Sequence, residues 1–404
     1  MKIRAITVFT DVGPPLDEAQ IAQLGAFART ARETYESAGF AVQTVRLATH
    51  VFPQLYLSDW SDRPVEFAAA LTKVCQAHGF DYVSLGPAGR DVWERLPDLL
   101  GTCPTAFVTI QITDQATGTI NGDAILGAAR VIRRASTIEE DGFANLRFAA
   151  LANVGPGTPF FPAAYYGGGP PTFAIATEAA DLAVAVCTDA RDAEVARWRL
   201  VVAIEKQAKR LVHYANKLVD AHEIPFSGID FSLATFPSPE TSIGAAIESL
   251  CGTPIGSAGA LAAASTLTDA IDRAQFPRCG FSGLMLPVLE DAILAQRAAE
   301  GRIGIDELLQ WSAVCGTGLD TVPLPGDASE SALALLLFDV AALAVRLKKP
   351  LAARLMPIPG KSVGDPVHFD FAFFADSGVL GLGEEPHQGL LTRTAELRLT
   401  PRIR

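Results

Sequence analysis

The chain has 404 residues, and its 45 acidic residues outnumber its 33 Lys and Arg residues, which gives a net charge of −12. Its hydrophobic fraction of 49% is too high for an intrinsically disordered protein. The acidic balance disfavours nucleic acid as a partner, because nucleic-acid binding needs a basic surface. The apolar runs are too short or too interrupted by charge to span a membrane. The six cysteines contain no CxxC pair, as expected of small buried side chains in a cytoplasmic protein.

The first part of the chain alternates strand-like and helix-like patterns. β-Branched or alternating apolar runs predict strands, and apolar residues at helical spacing predict helices that stop before glycines such as Gly39 and Gly79. The predicted strands are 3–9, 40–47, 81–85, 104–111 and 145–152, and the predicted helices are 16–37, 65–78 and 123–135. Repeated strand–helix units of this kind predict a mostly parallel sheet with helical crossovers.

A Gly/Pro-rich segment, 155–171, separates this part from the second half. Its aromatic residues favour a packed loop over a free linker. After it, the predicted strands are 172–176, 226–233, 281–288, 319–324 and 351–357, and the predicted helices are 193–221, 238–250, 259–274, 290–300, 305–313 and 329–347. Because no flexible linker divides this pattern, we expect one domain over 1–375, with 376–404 as a tail or an oligomer contact.

Several strand ends of the second half run into Gly, Pro and acidic residues, and α/β proteins bind ligands where the carboxyl ends of strands meet. Asp230 lies inside an apolar strand, so its carboxylate must be hydrogen-bonded, paired or metal-bound. Glu290 and Asp291 open the predicted helix 290–300, where at least one of them is expected to act as a cap.

Two further strand ends hold other candidate groups. Cys315 lies in a Gly-rich loop, where it is either a buried structural thiol or a nucleophile. Asp327 and Ser329 precede the apolar helix 329–347, so both are placed to be N-caps, with cation binding by Asp327 as the alternative. Lys361 follows two prolines and can reach inward as a partner for an anion.

At these motifs the chain resembles a known family. The segments 228–234, 280–283, 287–291, 315–320, 325–327 and 357–365, with 117–123 and 157–165, are similar to uncharacterised protein family 0210, whose domain is known as domain of unknown function 711. The resemblance covers most of the chain, and the motifs are specific when taken together.

The resemblance implies an α/β fold similar to pyruvate formate-lyase: a large barrel of mostly parallel strands with outer helices and the active site inside. The family has no assigned reaction, and some relatives are encoded beside amino-acid-sensing ACT domains. Glycyl-radical enzymes also need a C-terminal Arg-Val-x-Gly-aromatic element. The last twenty residues contain a single glycine, Gly389, outside such an element, so we expect no glycyl radical.

The leading hypothesis from the sequence is therefore a non-radical enzyme acting on a small polar or anionic metabolite, related to amino acids, in a barrel cavity. The expected residues are catalytic Cys315, Asp230 and Asp320, substrate-binding Lys361, Ser232, Ser282 and Gly283, and the metal ligands Asp327, Asp365 and Glu290 for Mg²⁺ or Ca²⁺. Nothing indicates nicotinamide, flavin, haem or zinc, and we expect a homo-oligomer. The alternative hypothesis is a non-catalytic amino-acid sensor or regulatory subunit with the same pocket.

Overall fold

The computed structural model describes residues 1–13, 15–52, 63–383 and 389–402. Its strands are β1 (Lys2–Phe9), β2 (Val42–Ala48), β3 (Tyr82–Pro87), β4 (Ala106–Gln111), β5 (Thr113–Asp114), β6 (Thr119–Asn121), β7 (Phe148–Ala152), β8 (Thr172–Glu178), β9 (Phe226–Asp230), β10 (Gly318–Pro325), β11 (Leu351–Ile358), β12 (Pro366–Val367), β13 (Ser377–Gly378) and β14 (Glu396–Arg398). Its α-helices are α1 (Glu18–Ser37), α2 (Pro64–Ala77), α3 (Leu96–Thr102), α4 (Gly122–Ala135), α5 (Ala180–Thr188), α6 (Ala193–His222), α7 (Ile243–Cys251), α8 (Ala260–Arg273), α9 (Ala292–Ala299), α10 (Ile305–Ser312) and α11 (Glu330–Leu347).

Nine of these strands form one sheet, in the order β10-β11-β7-β4-β3-β2-β1-β8-β9. The five central strands, β7 to β1 in this order, are mutually parallel. The outer pairs β10–β11 and β8–β9 are each parallel internally and run antiparallel to the central strands. The predicted mixed α/β fold with a mostly parallel sheet is therefore confirmed.

The segment 278–288, predicted to contain a strand, makes only single parallel bridges. Arg278 and Leu284 bridge to the β9 side of the sheet, and Pro287 bridges to Asp320 of β10. The prediction of a regular strand here is wrong for a local reason. Gly280 and Ser282 have φ of 61° and 42°, outside the strand region, and Pro287 has no N–H for a ladder bond. The segment nevertheless contacts both outer strands of the sheet.

The helices pack their apolar faces on the sheet, and their starts follow the expected capping chemistry. Asp192 begins the 30-residue α6 by accepting a hydrogen bond from the Val195 N–H at 2.8 Å. Ser329 caps α11, the helix predicted from the apolar run, by accepting one from the Ala332 N–H at 3.1 Å. Within the described part of the chain, no helix is long and apolar enough to cross a membrane.

Two irregular regions pack against this framework. The Gly/Pro-rich loop 155–171 buries Phe160, Phe161 and Tyr166, as a packed loop requires. At the other end of the chain, β14 pairs with β6, and the Arg402 N–H donates to the Arg346 carbonyl. This part of the 376–404 segment therefore packs against the rest of the described structure.

Candidate functional site

A cavity of about 120 Å³ lies against one face of the sheet and is bordered by the segments 281–290 and 371–373. On this measure one water needs roughly 10–15 Å³, so the cavity has room for a small metabolite. Strand alternation places its charged groups: Arg4 on β1, Arg46 on β2 and Arg354 on β11 all turn their side chains to this face. Two carboxylates, Glu290 and Asp320, complete the charged lining.

Glu290 is the centre of an ion-pair network at one side of the cavity. Its carboxylate accepts from Arg4 and, at 2.7 Å, from Nη2 of Arg354. Arg4 also donates to Glu178 at 3.2 Å, and all of these groups are largely buried. Burial alone would raise the pKa of Glu290, but the two guanidiniums outweigh it and hold the pKa below its ordinary value. Glu290 is therefore ionised and structurally engaged on both oxygens.

Asp320 has a different electrostatic environment, although it shares Arg354 with Glu290. Nε of Arg354 donates to Oδ1 of Asp320 at 2.6 Å. Burial raises the pKa of the Asp320 carboxyl group, Arg354 opposes this, and the negative charge of Glu290 adds to the rise. Among the described residues, its Oδ2 makes no hydrogen bond. Asp320 is thus the cavity carboxylate with a raised pKa and an oxygen that no described residue engages.

Arg46 differs from Arg4 and Arg354, because no carboxylate of the described residues lies within ion-pair distance of its guanidinium. It is 8% exposed, and its Nε donates to Oγ1 of Thr44 at 2.7 Å. Its guanidinium carbon lies 5.0 Å from the ring centroid of Phe161 and 5.8 Å from that of Tyr82. Burial, followed by repulsion from Arg4, lowers the pKa of Arg46 to about 9. A buried guanidinium in this position needs an anion to compensate it.

Four residues expected to act on a substrate, Asp230, Ser232, Ser282 and Gly283, form a compact hydrogen-bonded cluster. Asp230 accepts from Ser232 Oγ at 2.6 Å and from the N–H groups of Phe281 and Ser282 at 2.7 Å each. The Gly283 N–H donates to Ser232 Oγ at 3.1 Å. The cluster joins the end of β9 to the segment 278–288. It lies outside the set of described residues that line the cavity.

The geometry of this cluster explains its residue types. Burial raises the pKa of Asp230 to about 6, and its three hydrogen bonds oppose the rise. A Cβ at Gly283 would lie 2.5 Å from the Cα of Gly316, so a larger residue would push the two segments apart. The sequence requirement that Asp230 be hydrogen-bonded, paired or metal-bound is met by hydrogen bonds.

Cys315, expected as a nucleophile or a structural thiol, is buried in the main apolar core just before β10. Lys361 lies in the turn after β11, where its carbonyl accepts from the Gly326 N–H at 2.9 Å. Neither residue is among the described residues that line the cavity. Of the ten candidate residues, the structure therefore places only Asp320 and Glu290 in the cavity lining.

The three candidate metal ligands do not come together. Asp327 is exposed, Asp365 accepts from the Ser362 N–H at 2.7 Å in a surface turn, and both oxygens of Glu290 face guanidiniums. No group of three His, Cys, Asp or Glu that could hold a metal occurs in the part of the chain that the structure describes. These residues do not fit a Mg²⁺ or Ca²⁺ site. The expected helix cap is instead Asp291, which accepts from the Ile293 and Leu294 N–H groups at 3.0 Å each.

Sequence reasoning missed the arginines Arg4, Arg46 and Arg354, although a signal was present. Each lies inside a strand that is otherwise largely apolar, Lys2–Phe9, Val42–Ala48 or Leu351–Ile358. A guanidinium at such a position requires a partner for the same physical reason as the carboxylate of Asp230.

The model of the family described as Uncharacterised ACR (DUF711) matches residues 1–374. The chain belongs to this family. It is 32% identical over 398 residues to the UPF0210 protein of Pyrobaculum arsenaticum, covering 90% of this chain and 87% of that protein. The UPF0210 proteins of Ruminiclostridium cellulolyticum and Neisseria gonorrhoeae are 27% and 26% identical, covering 85% and 84% of this chain and 79% of each relative. The resemblance read from the motifs is confirmed, and the names of this DUF711 family describe no activity.

Proposed function

We propose that the protein is an enzyme that binds a small organic anion in the cavity and exchanges a proton with it through Asp320. The observation that supports this most directly is Arg46, a buried cavity guanidinium with no carboxylate partner among the described residues. The other lining arginines, Arg4 and Arg354, are paired with carboxylates, which leaves Arg46 as the lining arginine without an ion-pair partner among the described residues. A ligand carboxylate would balance that charge and satisfy the free donors of Arg46.

Asp320 supplies the chemistry in this proposal. Its pKa is raised towards the range in which a carboxyl group can both accept and donate a proton, and its Oδ2 is free within the described residues. The proton passes between the bound molecule and the Asp320 carboxyl group and is then exchanged with water. No other reactant is consumed, and no step uses a metal.

We also propose that the sheet rolls into the barrel typical of pyruvate formate-lyase-like folds, closed by the segment 278–288. Four backbone hydrogen bonds support this. Cys279 N–H donates to Ile229 and Leu233 N–H to Gly283 on one side, and Gly316 N–H to Leu284 and Val288 N–H to Asp320 on the other, at 3.0–3.2 Å. Hydrogen exchange should find these four amides protected like those of β1. Fast exchange on either side would mean an open sheet.

A non-catalytic sensor is the second candidate, favoured by the mutual pairing of Glu290, Arg4 and Arg354, which leaves most of the cavity charge already satisfied. The two functions differ in the fate of the bound ligand. An enzyme converts its ligand or exchanges its protons, whereas a sensor releases the ligand unchanged.

The test combines binding with proton exchange. Pyruvate, 2-oxoglutarate, phenylpyruvate and L-phenylalanine are titrated by calorimetry into the parent, Arg46→Met and the control Arg191→Met, an exposed arginine. We expect binding by the parent and the control and at least a tenfold loss in Arg46→Met. Each probe that binds is then incubated in D₂O, where deuterium uptake should need Asp320 and fail in Asp320→Asn. Equal binding by Arg46→Met would contradict the anion site, and binding without exchange or turnover would identify a sensor.

A further inference from the structure

We infer that the anion bound by this cavity carries an aromatic ring, so that the ligand class is an aryl-substituted carboxylate. The inference rests on the proposed anion site at Arg46 and adds the chemistry of the rest of the ligand. It follows from two properties of the lining. Aromatic side chains surround the charged groups, and the Thr and Gln side chains of the lining already make hydrogen bonds within the protein.

Seven aromatic side chains line the cavity: Tyr82, Phe107, Phe160, Phe161, Phe281, Phe371 and Phe373. Three of them meet edge to face, with ring centroids of Phe107 and Phe161 5.2 Å apart and of Tyr82 and Phe107 5.3 Å apart. Such walls present ring edges and faces at the spacing that another ring prefers. Phe161 also lies beside the Arg46 guanidinium, so a ring attached close to a bound carboxylate would meet these walls.

The Thr and Gln side chains of the lining already make hydrogen bonds within the protein. Thr44 Oγ1 donates to the Arg4 carbonyl at 3.0 Å and accepts from Arg46, while Thr235 Oγ1 donates to the Glu290 carbonyl at 2.9 Å. Gln43 donates to Glu178, and Thr317 Oγ1 donates to the Leu284 carbonyl at 3.4 Å. A polyhydroxy ligand would have to replace many hydrogen bonds to water here, and Arg46, Asp320 and the Tyr82 hydroxyl can supply only a few. An apolar ring suffers no such loss.

Two half-buried rings belong to the phenylalanine-rich loop that follows β12. Phe373 lies with its ring 5.5 Å from the Arg4 guanidinium carbon, and Phe371 packs 5.2 Å from Phe373. Phe143 contacts Phe371 from behind, at 5.0 Å, but lies outside the residues described as cavity lining. Phe143 therefore provides a matched control for the loss of a neighbouring ring that is not itself part of the cavity wall.

The experiment compares three carboxylates that differ in the rest of the molecule. They are 3-phenylpropanoate, its saturated analogue 3-cyclohexylpropanoate, and the polyhydroxy compound gluconate. Calorimetry is done with the full chain of the parent and of the variants Phe373→Leu, Phe143→Leu and Arg46→Met. We expect 3-phenylpropanoate to bind about two- to twelvefold more tightly than the cyclohexyl analogue, the range expected for ring–ring contacts. Gluconate should not bind. Phe373→Leu should reduce the phenyl preference, and Phe143→Leu should keep it.

The outcomes separate the two proposals. Equal affinity for the phenyl and cyclohexyl compounds, or tighter binding of gluconate, overturns the aromatic specificity while leaving the anion site intact if Arg46→Met abolishes binding. A phenyl preference that survives Phe373→Leu unchanged but is lost in Phe143→Leu also overturns it. If none of the three carboxylates binds to the parent at millimolar concentration, the aromatic specificity is overturned, and the anion site is refuted as well if pyruvate and 2-oxoglutarate also fail to bind.

Discussion

Replacing Arg46 by methionine should make the protein more stable while removing its affinity for anions. The fall in the pKa of Arg46 to about 9 means that the folded state disfavours its charge. At about 1.4 kcal/mol for each tenfold change, this penalty is on the order of 4–5 kcal/mol. The variant loses the hydrogen bond to Thr44, about 1 kcal/mol, and the stacking with Phe161 and Tyr82, about 1 kcal/mol. The net expected gain is about 2–3 kcal/mol.

The matched control is Arg354→Met, the same substitution at another buried arginine of the cavity. Arg354 donates to Glu290 at 2.7 Å and to Asp320 at 2.6 Å, so its removal leaves two buried carboxylates facing each other. Breaking a buried pair in this way costs about 3–5 kcal/mol. For 404 residues, 1 kcal/mol corresponds to roughly 1 °C in Tm, so we expect about +2 to +3 °C for Arg46→Met and about −4 °C for Arg354→Met.

The pH dependence gives an independent check of the cause. Arg46 is a base with a lowered pKa in the folded state, so its penalty is complete below pH 9. It diminishes as the pH rises through 9, because the folded state then releases a proton that the unfolded state keeps. The stability advantage of Arg46→Met, measured by calorimetry, should thus be constant from pH 6 to 8 and shrink above 9. A Tm decrease for Arg46→Met similar to that of Arg354→Met would refute the reasoning, because Arg46 would then be compensated within the protein.

Three other substitutions test the roles of single contacts. Thr44→Val should weaken carboxylate binding about tenfold at a stability cost of about 1 kcal/mol, because Thr44 Oγ1 orients Arg46, and Thr44→Ser should restore the affinity. Gly283→Ala should lower Tm strongly, since its Cβ would lie 2.5 Å from the Gly316 backbone, and a normal Tm would contradict the close approach. Lys361→Ala should change neither Tm nor carboxylate affinity by much, since Lys361 lies outside the described cavity lining, whereas a large loss of affinity would return Lys361 to the site.

The fold was more predictable than the site because it depends on periodic patterns. The apolar spacing of 16–37 and 193–221 gave helices close to α1 and α6, and the alternating runs gave β1 and β8. Prediction failed at 281–288, where the composition is typical of a strand but Gly280, Ser282 and Pro287 interrupt the ladder. That interruption depends on contacts with β9 and β10, which local sequence cannot reveal.

The site was harder to predict because its charged groups come from distant strands. Asp320 and Glu290 were chosen because they follow Gly- and Pro-rich turns, and the structure places both at the cavity. Asp230 was chosen because it lies inside an apolar strand, but its carboxylate is used to join β9 to the segment 278–288. Arg4, Arg46 and Arg354 lie roughly 40 or more positions apart in sequence and meet only through the order of the strands. The isolated strand sequences indicate that each needs a partner, but not which one.

Glu290 and Asp320 both contact Arg354, but in the proposed function their carboxyl groups have different roles. Glu290 contacts two guanidiniums and Asp320 only one, so the pKa of Glu290 is lowered while that of Asp320 is raised. These opposite shifts favour the charged form of Glu290, which anchors Arg4 and Arg354, and the protonated form of Asp320. An anion on Arg46 would remove the uncompensated positive charge of the cavity and raise the pKa of Asp320 further. Ligand binding would then make Asp320 a stronger base at the moment when a proton can be transferred. The unpaired Arg46 would thus affect both affinity and proton transfer, although its charge destabilises the free protein.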